Sequence, residues 1–388
     1  MLNEFIVTAT RSMRAYASRV VEYLARFSGF SSFADSLNGI DIVQVDRFAD
    51  GEIEAVVNTS IRGKAAVLFA SCARNEEGTS VADAKIELYH TIDALKRAQA
   101  ARILVFEPFV SCSRSDRTAR RSSVGLWVHL KTLVSLGTSH FVTYHLHSDK
   151  SKSMLDPALC AIDDIPALTL IKRYLCDVYI RDIETLEKVV RPRWAFCSVD
   201  AGGEKLARGF ANAFGAPLVV AHKQRDYSTV NTIKSINILS HEPVEGKALW
   251  IVDDMVDTAG SVESMVHVLA SLKPAEINIL AVHALFSPPA VERLAALARN
   301  KLLNRIIVTD TVSSPSPRGL QGVPNLEVVP SAELSAKIVR AIMTNSSMSK
   351  LLRTFNAELY LKSPKLFNQW EAGPGGRPQE AEPDGAKQ

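Results

Sequence analysis

The feature that most constrains the fold is a regular alternation of short apolar runs with amphipathic helical stretches. The runs are rich in Val, Ile, Leu and Phe on both faces, as in strands that helices cover on both sides. This rhythm predicts mainly parallel sheets, whose sites form beyond the carboxyl ends of the strands. The predicted strands are residues 5–9, 65–71, 102–108, 140–147, 194–200, 217–222, 248–254, 278–286 and 305–310. The predicted helices are residues 83–99, 126–136, 204–214, 262–272 and 289–302.

The length of the chain and the spacing of its strands indicate two domains. With 388 residues, the chain is long enough to bury two separate cores. The strand spacing restarts near residues 161–168, so we predict a first domain over residues 1–163 and a second over residues 164–345. An extension over residues 346–388 ends in a stretch, residues 371–388, without apolar periodicity, which predicts a disordered tail.

The composition is that of an ordinary globular protein and argues against several classes of function. Hydrophobic residues make up 47%, and no apolar run approaches the roughly 18 residues that a membrane span needs. The net charge is only +3, without a long Lys/Arg stripe, which argues against nucleic acid as the main partner. The five cysteines are scattered without a C-x-x-C pair, a pattern typical of a reducing compartment. We therefore expect a cytoplasmic protein without a membrane partner.

Residues 11–26 allow two interpretations. The stretch is amphipathic and bears arginines, so it could be an organelle transit peptide or the first helix after an opening strand. The acidic residues Glu4 and Glu22 favour the helix, because transit peptides are poor in acid.

The sharpest signal is a buried strand that runs into two carboxylates and then into a Thr-Ala-Gly-Ser turn at the start of a helix. A helix N-terminus offers unpaired N–H groups and a partial positive charge to a phosphate. Gly260 allows a close approach of the backbone, and Thr258 and Ser261 add hydroxyl donors. Asp253 and Asp254 precede this turn and can accept hydrogen bonds from vicinal ribose hydroxyls. A sugar phosphate would satisfy both halves of the segment.

The structural alternative for this segment is an Asx turn with Ser261 as the N-cap of the helix. Three acids in five residues at the end of a strand, Asp253, Asp254 and Asp257, argue against it.

The segment from Asp253 to Ser261 resembles the phosphoribosyl diphosphate loop shared by type I phosphoribosyltransferases and ribose-phosphate pyrophosphokinases. Further segments, in family order, resemble the second family: Phe48-Ala-Asp-Gly-Glu52, Arg114-Ser-Asp-Arg117, His147, Asp200-Ala-Gly-Gly203 and His222-Lys-Gln-Arg225. The resemblance covers residues 3–315. It implies two phosphoribosyltransferase-like α/β domains, each a mainly parallel sheet flanked by helices, with ATP on the first domain and ribose 5-phosphate on the second.

The resemblance implies a role for each matching residue. It assigns ATP binding to Phe48, Asp50, Glu52, Arg114, Ser115 and Asp116, although Phe48 taken alone is better explained as a core residue. It assigns ribose 5-phosphate binding to Asp200, Asp253, Asp254, Asp257, Thr258, Ala259, Gly260 and Ser261. It assigns catalysis to Lys223, Arg225 and His147, and metal binding to His147, Asp200 and His145.

The implied chemistry is diphosphoryl transfer, which needs alignment and neutralised charge more than covalent help. Lys223 and Arg225 follow a predicted strand on a segment that we expect to be mobile, and they would supply positive charge. Taken alone, a Lys-x-Arg pair is usually a solvated surface pair. The family resemblance further implies Mg²⁺, with Mn²⁺ as an alternative, and a homo-oligomer built from dimers, such as a hexamer.

The chain departs from the family pattern mainly on the ATP and metal side: at Ser115, Ala119, His145, Cys160 and Ala284. His145 stands where the family has Asp, two residues before His147. With strand alternation, the two side chains would leave the same face. Three interpretations of His145 are open. As a metal ligand, an imidazole suits Mn²⁺ or Co²⁺ better than Mg²⁺. Alternatively, the protonated imidazole contacts the triphosphate, or His145 only packs at the strand end.

Three functions remain open on the sequence alone. The first is an active pyrophosphokinase that makes phosphoribosyl diphosphate and AMP. The second is a catalytically weak regulatory paralogue that associates with active subunits, for which damage to Lys223, Arg225 or Asp200 would be expected, and all three are present. The third is a phosphoribosyltransferase that consumes the product, against which the second α/β half with its ATP-type motifs argues.

Overall fold

A computed structural model of the protein describes residues 5–27, 40–74, 79–118, 121–200, 202–225, 233–240, 242–312, 323 and 325–364, with the backbone alone at 222–225 and 233–237. Within these residues the chain forms two mainly parallel sheets and one small antiparallel sheet. No helix in the described ranges is both long and apolar enough to cross a membrane.

The N-terminal half builds a five-stranded sheet and a hairpin. Its elements are β1 (Phe5–Ala9), α1 (Arg14–Ala25), β2 (Val43–Arg47), β3 (Ile53–Val57), β4 (Ala65–Phe69), α2 (Val81–Arg97), β5 (Arg102–Phe106), α3 (Gly125–Leu136), β6 (His140–Tyr144) and β7 (Ala161–Ile165). The sheet is parallel throughout, in the order β1-β4-β5-β6-β7. The hairpin β2–β3 is separate from this sheet and is tied to α2 by His90, whose Nδ1 lies 2.7 Å from the Ile53 carbonyl.

The C-terminal half builds a seven-stranded sheet in the order β10-β9-β8-β11-β12-β13-β14, in which every pair is parallel except β10 with β9. Its strands are β8 (Trp194–Ser198), β9 (Leu218–Arg225), β10 (Ile233–Ser240), β11 (Ala248–Val256), β12 (Glu276–Ala284), β13 (Arg305–Thr309) and β14 (Leu326–Val329). Its helices are α4 (Leu168–Tyr174), α5 (Ile183–Thr185), α6 (Arg191–Arg193), α7 (Glu204–Phe214), α8 (Gly260–Ala270), α9 (Ala290–Arg299), α10 (Ala332–Met343) and α11 (Ala357–Lys362). Two π-helical stretches follow α4 and α5 directly: Leu175–Ile180 and Leu186–Val190.

The two halves share one apolar core, which fixes how their sheets face each other. Phe69 and Phe106 of the first sheet stack at 4.9 Å between ring centroids and belong to the same buried cluster as Trp250 of the second. A hydroxyl network crosses between the halves, because the phenols of Tyr16 and Tyr144 each lie 2.7 Å from the Ser335 hydroxyl on α10. The carboxyl ends of both sheets are therefore held in a defined relation to each other.

The predicted architecture of two mainly parallel sheets agrees with the structure, with local corrections. The boundary predicted at residues 163/164 falls inside β7, which pairs with β6, so the first sheet ends at Ile165. The first helix belongs to the fold, since Tyr16, Val20 and Leu24 are buried in the shared core. The extension is also partly folded, because α11 packs Tyr360 into this core, while the predicted tail lies outside the described residues. The strands β2, β3, β7, β10 and β14 were not predicted.

Candidate active site

Two ion pairs join loops of the first sheet to the end of β11 in the second sheet. Nη2 of Arg114 donates to Oδ2 of Asp257 at 2.6 Å. Nδ1 of His147 donates to Oδ2 of Asp254, also at 2.6 Å. These pairs bring residues assigned to ATP and to catalysis next to residues assigned to the sugar phosphate. The candidate active site therefore lies between the carboxyl ends of the two sheets.

The turn between β11 and α8 has the properties of an anion site. Ala259 adopts a left-handed backbone, φ +59°, which costs an alanine roughly 1–2 kcal/mol and marks a turn that the surrounding fold enforces. Ala259 is also the N-cap of α8, and within the described chain no side chain caps this helix. The structural alternative, with Ser261 as the N-cap of the helix, is therefore wrong. The first N–H groups of α8 stay available to a phosphate, and Thr258 and Ser261 beside them are exposed.

Arg293 holds this turn from α9 and was not predicted as a site residue. Its Nη1 donates to the Thr258 carbonyl at 2.9 Å, and its Nε pairs with Glu263 at 3.1 Å. A Cβ at Gly260 would lie only 2.9 Å from the same Nη1. Glycine at this position therefore lets the arginine reach the turn. The sequence carries no local signal for it, because Arg293 is 35 residues from its partner.

The two adjacent carboxylates at the end of β11 differ in their protonation. Burial, with the neighbouring Asp254 and Asp200, raises the pKa of Asp253 well above its usual value. Burial is also the largest single effect on Asp254 and acts in the same direction, but the hydrogen bond and charge of His147, together with the Asp253 side chain, outweigh it and lower the pKa of Asp254. The same hydrogen bond raises the pKa of His147. The site thus favours a protonated Asp253 next to a pair of ionised Asp254 and protonated His147.

The loop after β8 brings Asp200 to the same place. Its Oδ1 accepts the Gly203 N–H at 3.0 Å, and a Cβ at Gly202 would lie 3.2 Å from that oxygen. The glycines therefore allow the loop to fold tightly around the carboxylate. The charge of Asp200 acts on the pKa of Asp253, so the two acidic segments lie near each other.

His145 does not follow the strand geometry predicted for it. β6 ends at Tyr144, and His145 has a left-handed backbone with φ +50°, so strand alternation does not relate its side chain to that of His147. Burial lowers the pKa of the His145 imidazole, while Asp164 and Asp254 act in the opposite direction. His283, also outside the predicted set, braces this bend, since its Nε2 lies 3.1 Å from the Tyr144 carbonyl.

The segment after β5 places the residues assigned to ATP phosphates at the edge of the site. Asp116 and Arg114 both act on the pKa of His147, in opposite directions. The Ser115 hydroxyl instead accepts the Gly125 N–H at 2.9 Å, at the start of α3. Ser115 therefore also has a structural role in positioning this segment. Ala119 lies outside the described residues.

The segment assigned to the nucleotide base is the tip of the hairpin β2–β3. The Phe48 N–H donates to the Glu52 carbonyl at 2.8 Å, and Oδ1 of Asp50 accepts the Glu52 N–H at 3.1 Å. Phe48 is 52% exposed, so the alternative of a core residue is wrong. An exposed aromatic side chain at the tip of a hairpin is placed to meet a ligand or another chain.

Lys223 and Arg225 lie within β9, which pairs with β10, and not after a strand as predicted. Their side chains are outside the described part of the structure, so their catalytic role stays a prediction.

The three predicted metal ligands do not form a closed cluster. The ligand atoms of His147, Asp200 and His145 do not all lie within 4.8 Å of one another. Among the described residues, the one group that meets this distance is Cys72, Glu107 and His129. The Nδ1 of His147 is engaged by Asp254, and no described residue bonds its Nε2. Metal binding by these three residues stays a prediction.

Two parallel sheets with a strand-to-helix phosphate turn between them define a phosphoribosyl transferase type of α/β protein. Residues 183–293 match the family model of the phosphoribosyl transferase domain, and residues 5–137 match that of the N-terminal domain of ribose phosphate pyrophosphokinase. The predicted fold class is confirmed.

Individual relatives identify the family. The chain is 31% identical to a ribose-phosphate pyrophosphokinase of Synechococcus elongatus over 85% of this chain and 94% of that protein. It is 31% identical to the Mycobacterium leprae enzyme of that name over 78% of this chain and 85% of the relative. The crystal structure of phosphoribosylpyrophosphate synthetase from Mycobacterium smegmatis matches with a TM-score of 0.73 and 26% identity, over 88% of this chain and all of that one. The chain belongs to the ribose-phosphate pyrophosphokinase family, and the prediction of an enzyme of this family is confirmed.

Proposed function

We propose that the protein transfers the diphosphoryl group of MgATP to the 1-hydroxyl of ribose 5-phosphate, giving phosphoribosyl diphosphate and AMP for nucleotide biosynthesis. The observation that carries this proposal is the pair of contacts between the domains, Arg114 with Asp257 and His147 with Asp254. They bring the residues assigned to the two substrates within direct contact, as a transfer between those substrates requires.

The sugar phosphate would occupy the turn between β11 and α8. The 5-phosphate would accept hydrogen bonds from the uncapped N–H groups of α8 and from the hydroxyls of Thr258 and Ser261. Ionised Asp254 would accept a hydrogen bond from a ribose hydroxyl. A protonated Asp253 could donate one as well as accept one, which suits adjacent hydroxyls that do both.

ATP would bind across the first domain, with its phosphates toward the second. Arg114 is 57% exposed and could reach both Asp257 and a triphosphate. Phe48, with Asp50 and Glu52, would contact the base, and its exposure at the tip of the hairpin supports a pocket completed by a second subunit. We therefore propose a homo-oligomer built from dimers. We also propose that the protein acts in the cytoplasm.

The transfer forms a bond between the sugar oxygen and the β-phosphorus of ATP, and AMP leaves with the bridging oxygen. Catalysis requires alignment and positive charge around the transferred group. Lys223 and Arg225 would supply that charge from β9, and His147, whose pKa is raised by Asp254, would add to it.

A divalent cation fits the acidic side of this site. Burial, with the carboxylates of Asp254 and Asp200, raises the pKa of Asp253, so a cation bound nearby would favour the ionised form of this acid. We propose that Asp200 and His147 hold Mg²⁺ or Mn²⁺, with His145 adjoining. His147 would bind the ion through Nε2 in its neutral form, with Nδ1–H still donated to Asp254, and would carry positive charge only when no ion is bound. The ion would neutralise charge on the phosphates.

The regulatory alternative has no observation in its favour. The residues whose loss would indicate it, Lys223, Arg225 and Asp200, are present, and the relatives described above bear the name of the enzyme.

The experiment is to incubate the purified protein with ATP, Mg²⁺ and ribose 5-phosphate and to measure AMP release. We expect AMP to form only when ribose 5-phosphate is present, and Lys223→Ala to lower kcat by about 10²–10³ with little change in binding of the sugar, by analogy with loss of one transition-state donor. Release of ADP, or no reaction by folded protein with either metal, would contradict the proposal. An effect of Lys223→Ala on KM alone would assign this lysine to substrate binding.

A further inference from the structure

A second constellation of ligand-type side chains lies inside the first domain and has no part in the proposed reaction. Cys72 follows β4, Glu107 follows β5, and His129 lies on α3; all three are fully buried. One ligand atom from each lies within 4.8 Å of those of the other two. Sulfur, imidazole nitrogen and carboxylate oxygen in one buried group form a ligand set that suits Zn²⁺.

The partners of the imidazole are arranged as in a metal site. Nε2 of His129 donates to Oε2 of Glu107 at 2.9 Å, and Nδ1 lies 2.9 Å from the phenol oxygen of Tyr89. When Nε2 binds a metal, Nδ1 becomes the protonated nitrogen and donates to that phenol. A ligating histidine is typically oriented by such a hydrogen bond from its other nitrogen.

Cys112 would supply the fourth ligand after a shift of its side chain, because its Sγ does not lie within 4.8 Å of all three of the other ligand atoms. Its Sγ lies 3.2 Å from Nζ of Lys85, and both side chains are close enough to act electrostatically on the Cys72 thiol. With an ion in place, two thiolates and one carboxylate would balance the double charge of the metal and the single charge of Lys85. The charges of the cluster would then cancel in an interior where an unbalanced charge is costly.

We propose that Cys72, Glu107 and His129, with Cys112 as fourth ligand, bind one Zn²⁺ ion in a structural site separate from the active site. The ligands come from three separate elements, so the sequence contains no C-x-x-C spacing that would indicate this metal site. Glu107 begins the segment that carries Arg114 and Asp116 to the active site. The ion would join this segment to β4 and α3 and thereby fix its position.

The test is metal analysis of the full-length protein, purified without chelator, and then stripped and reloaded. We expect one equivalent of Zn²⁺ per chain after exhaustive dialysis, with protons released on loading as the thiols and Nε2 lose theirs. Loading with Co²⁺ should give the near-ultraviolet thiolate-to-cobalt absorption and the visible bands of a tetrahedral ion.

Cys72→Ala should remove the tightly held Zn²⁺ and the cobalt bands, while Cys197→Ala, which alters a buried cysteine of the second domain, should keep both. The measurements on the wild-type protein show by themselves whether an ion is bound, so the test does not depend on whether a variant folds. Wild-type protein without bound Zn²⁺ and without thiolate–cobalt absorption would overturn it, leaving Tyr89, His129, Glu107 and Cys72 as a purely hydrogen-bonded chain. Retention of Zn²⁺ by folded Cys72→Ala would overturn it as well. Either result leaves the proposed reaction untouched, because the readout is metal content and not activity.

Discussion

Arg114 is predicted to matter for ATP binding far more than for stability. Its ion pair with Asp257 is short, 2.6 Å, but the arginine side chain is 57% exposed. Exposed pairs contribute only about 0–1 kcal/mol, so Arg114→Ala should change the free energy of unfolding by no more than that. A hydrogen bond to a charged partner that is lost on truncation costs about 1.5–3 kcal/mol. Since about 1.4 kcal/mol is tenfold in affinity, the Kd for ATP should rise about 10- to 100-fold.

The assay is calorimetric titration of MgATP into wild type and variant, with urea unfolding of both. The matched control is Arg97→Ala, which removes an arginine that is 79% exposed and paired with Asp93 at 2.7 Å on α2. We expect the control to bind ATP as wild type does. Unchanged ATP affinity in Arg114→Ala, or an equal loss in Arg97→Ala, would refute the placement of the triphosphate at Arg114. A greater loss for ribose 5-phosphate than for ATP would refute it as well.

Three further predictions test the second substrate, the titrating pair and the metal. Gly260→Val should weaken ribose 5-phosphate more than ATP in titrations, because its Cβ would lie 2.9 Å from Nη1 of Arg293 and push it from the turn. Asp254→Asn should lower the pKa of His147 in an NMR titration, because it removes the hydrogen bond that raises that pKa. The His147–Asp254 pair should contribute its full stability between about pH 4 and 6.5, which are the ordinary pKa values of an aspartate and a histidine. This stability should be lost as the pH rises through the raised pKa of His147 or falls through the lowered pKa of Asp254. His145→Asp should lower the half-saturating Mg²⁺ relative to Mn²⁺, and aspartate tolerates the left-handed backbone there.

Each of these predictions has its own control. Equal weakening of both substrates by Gly260→Val would contradict the position of the sugar phosphate. Asp163→Asn, which alters the partner of His140 at 2.7 Å, should leave the titration of His147 unchanged. Identical metal and pH profiles for wild type and His145→Asp would leave His145 as a packing residue. Activity that falls as pH rises, whichever metal is used, would instead indicate direct contact of protonated His145 with the triphosphate.

The core strands could be predicted because they are buried on both faces. β4, for example, is buried at every position, so its residues form an unbroken apolar run. The hairpin strand β2 was missed because most of its residues are exposed or half-buried and polar. β7 was missed for a similar reason, since Asp163 and Asp164 interrupt its apolar pattern. The predicted domain boundary therefore fell within this strand.

The site could be predicted as a set of residues but not as an arrangement. The acids at the end of β11 stand together in the sequence, whereas Arg114 and Asp257 are 143 residues apart and meet only through the packing of the two sheets. The bend at His145 was also hidden, because its positive φ ends a strand that the apolar pattern continues. Arg293 acts through a carbonyl on another element and leaves no motif.

The central claim is that the diphosphoryl group passes intact from ATP to the sugar. The most direct measurement is to incubate the enzyme with Mg²⁺, ribose 5-phosphate and ATP labelled at the β-phosphorus, and to separate the products. The label should appear in phosphoribosyl diphosphate, in amounts equal to the AMP released, and it should stay in ATP when the sugar is omitted. Label in ADP would show transfer of the γ-phosphoryl group alone, and label that remains in ATP with folded, metal-loaded protein would show no transfer. Either result would contradict the account.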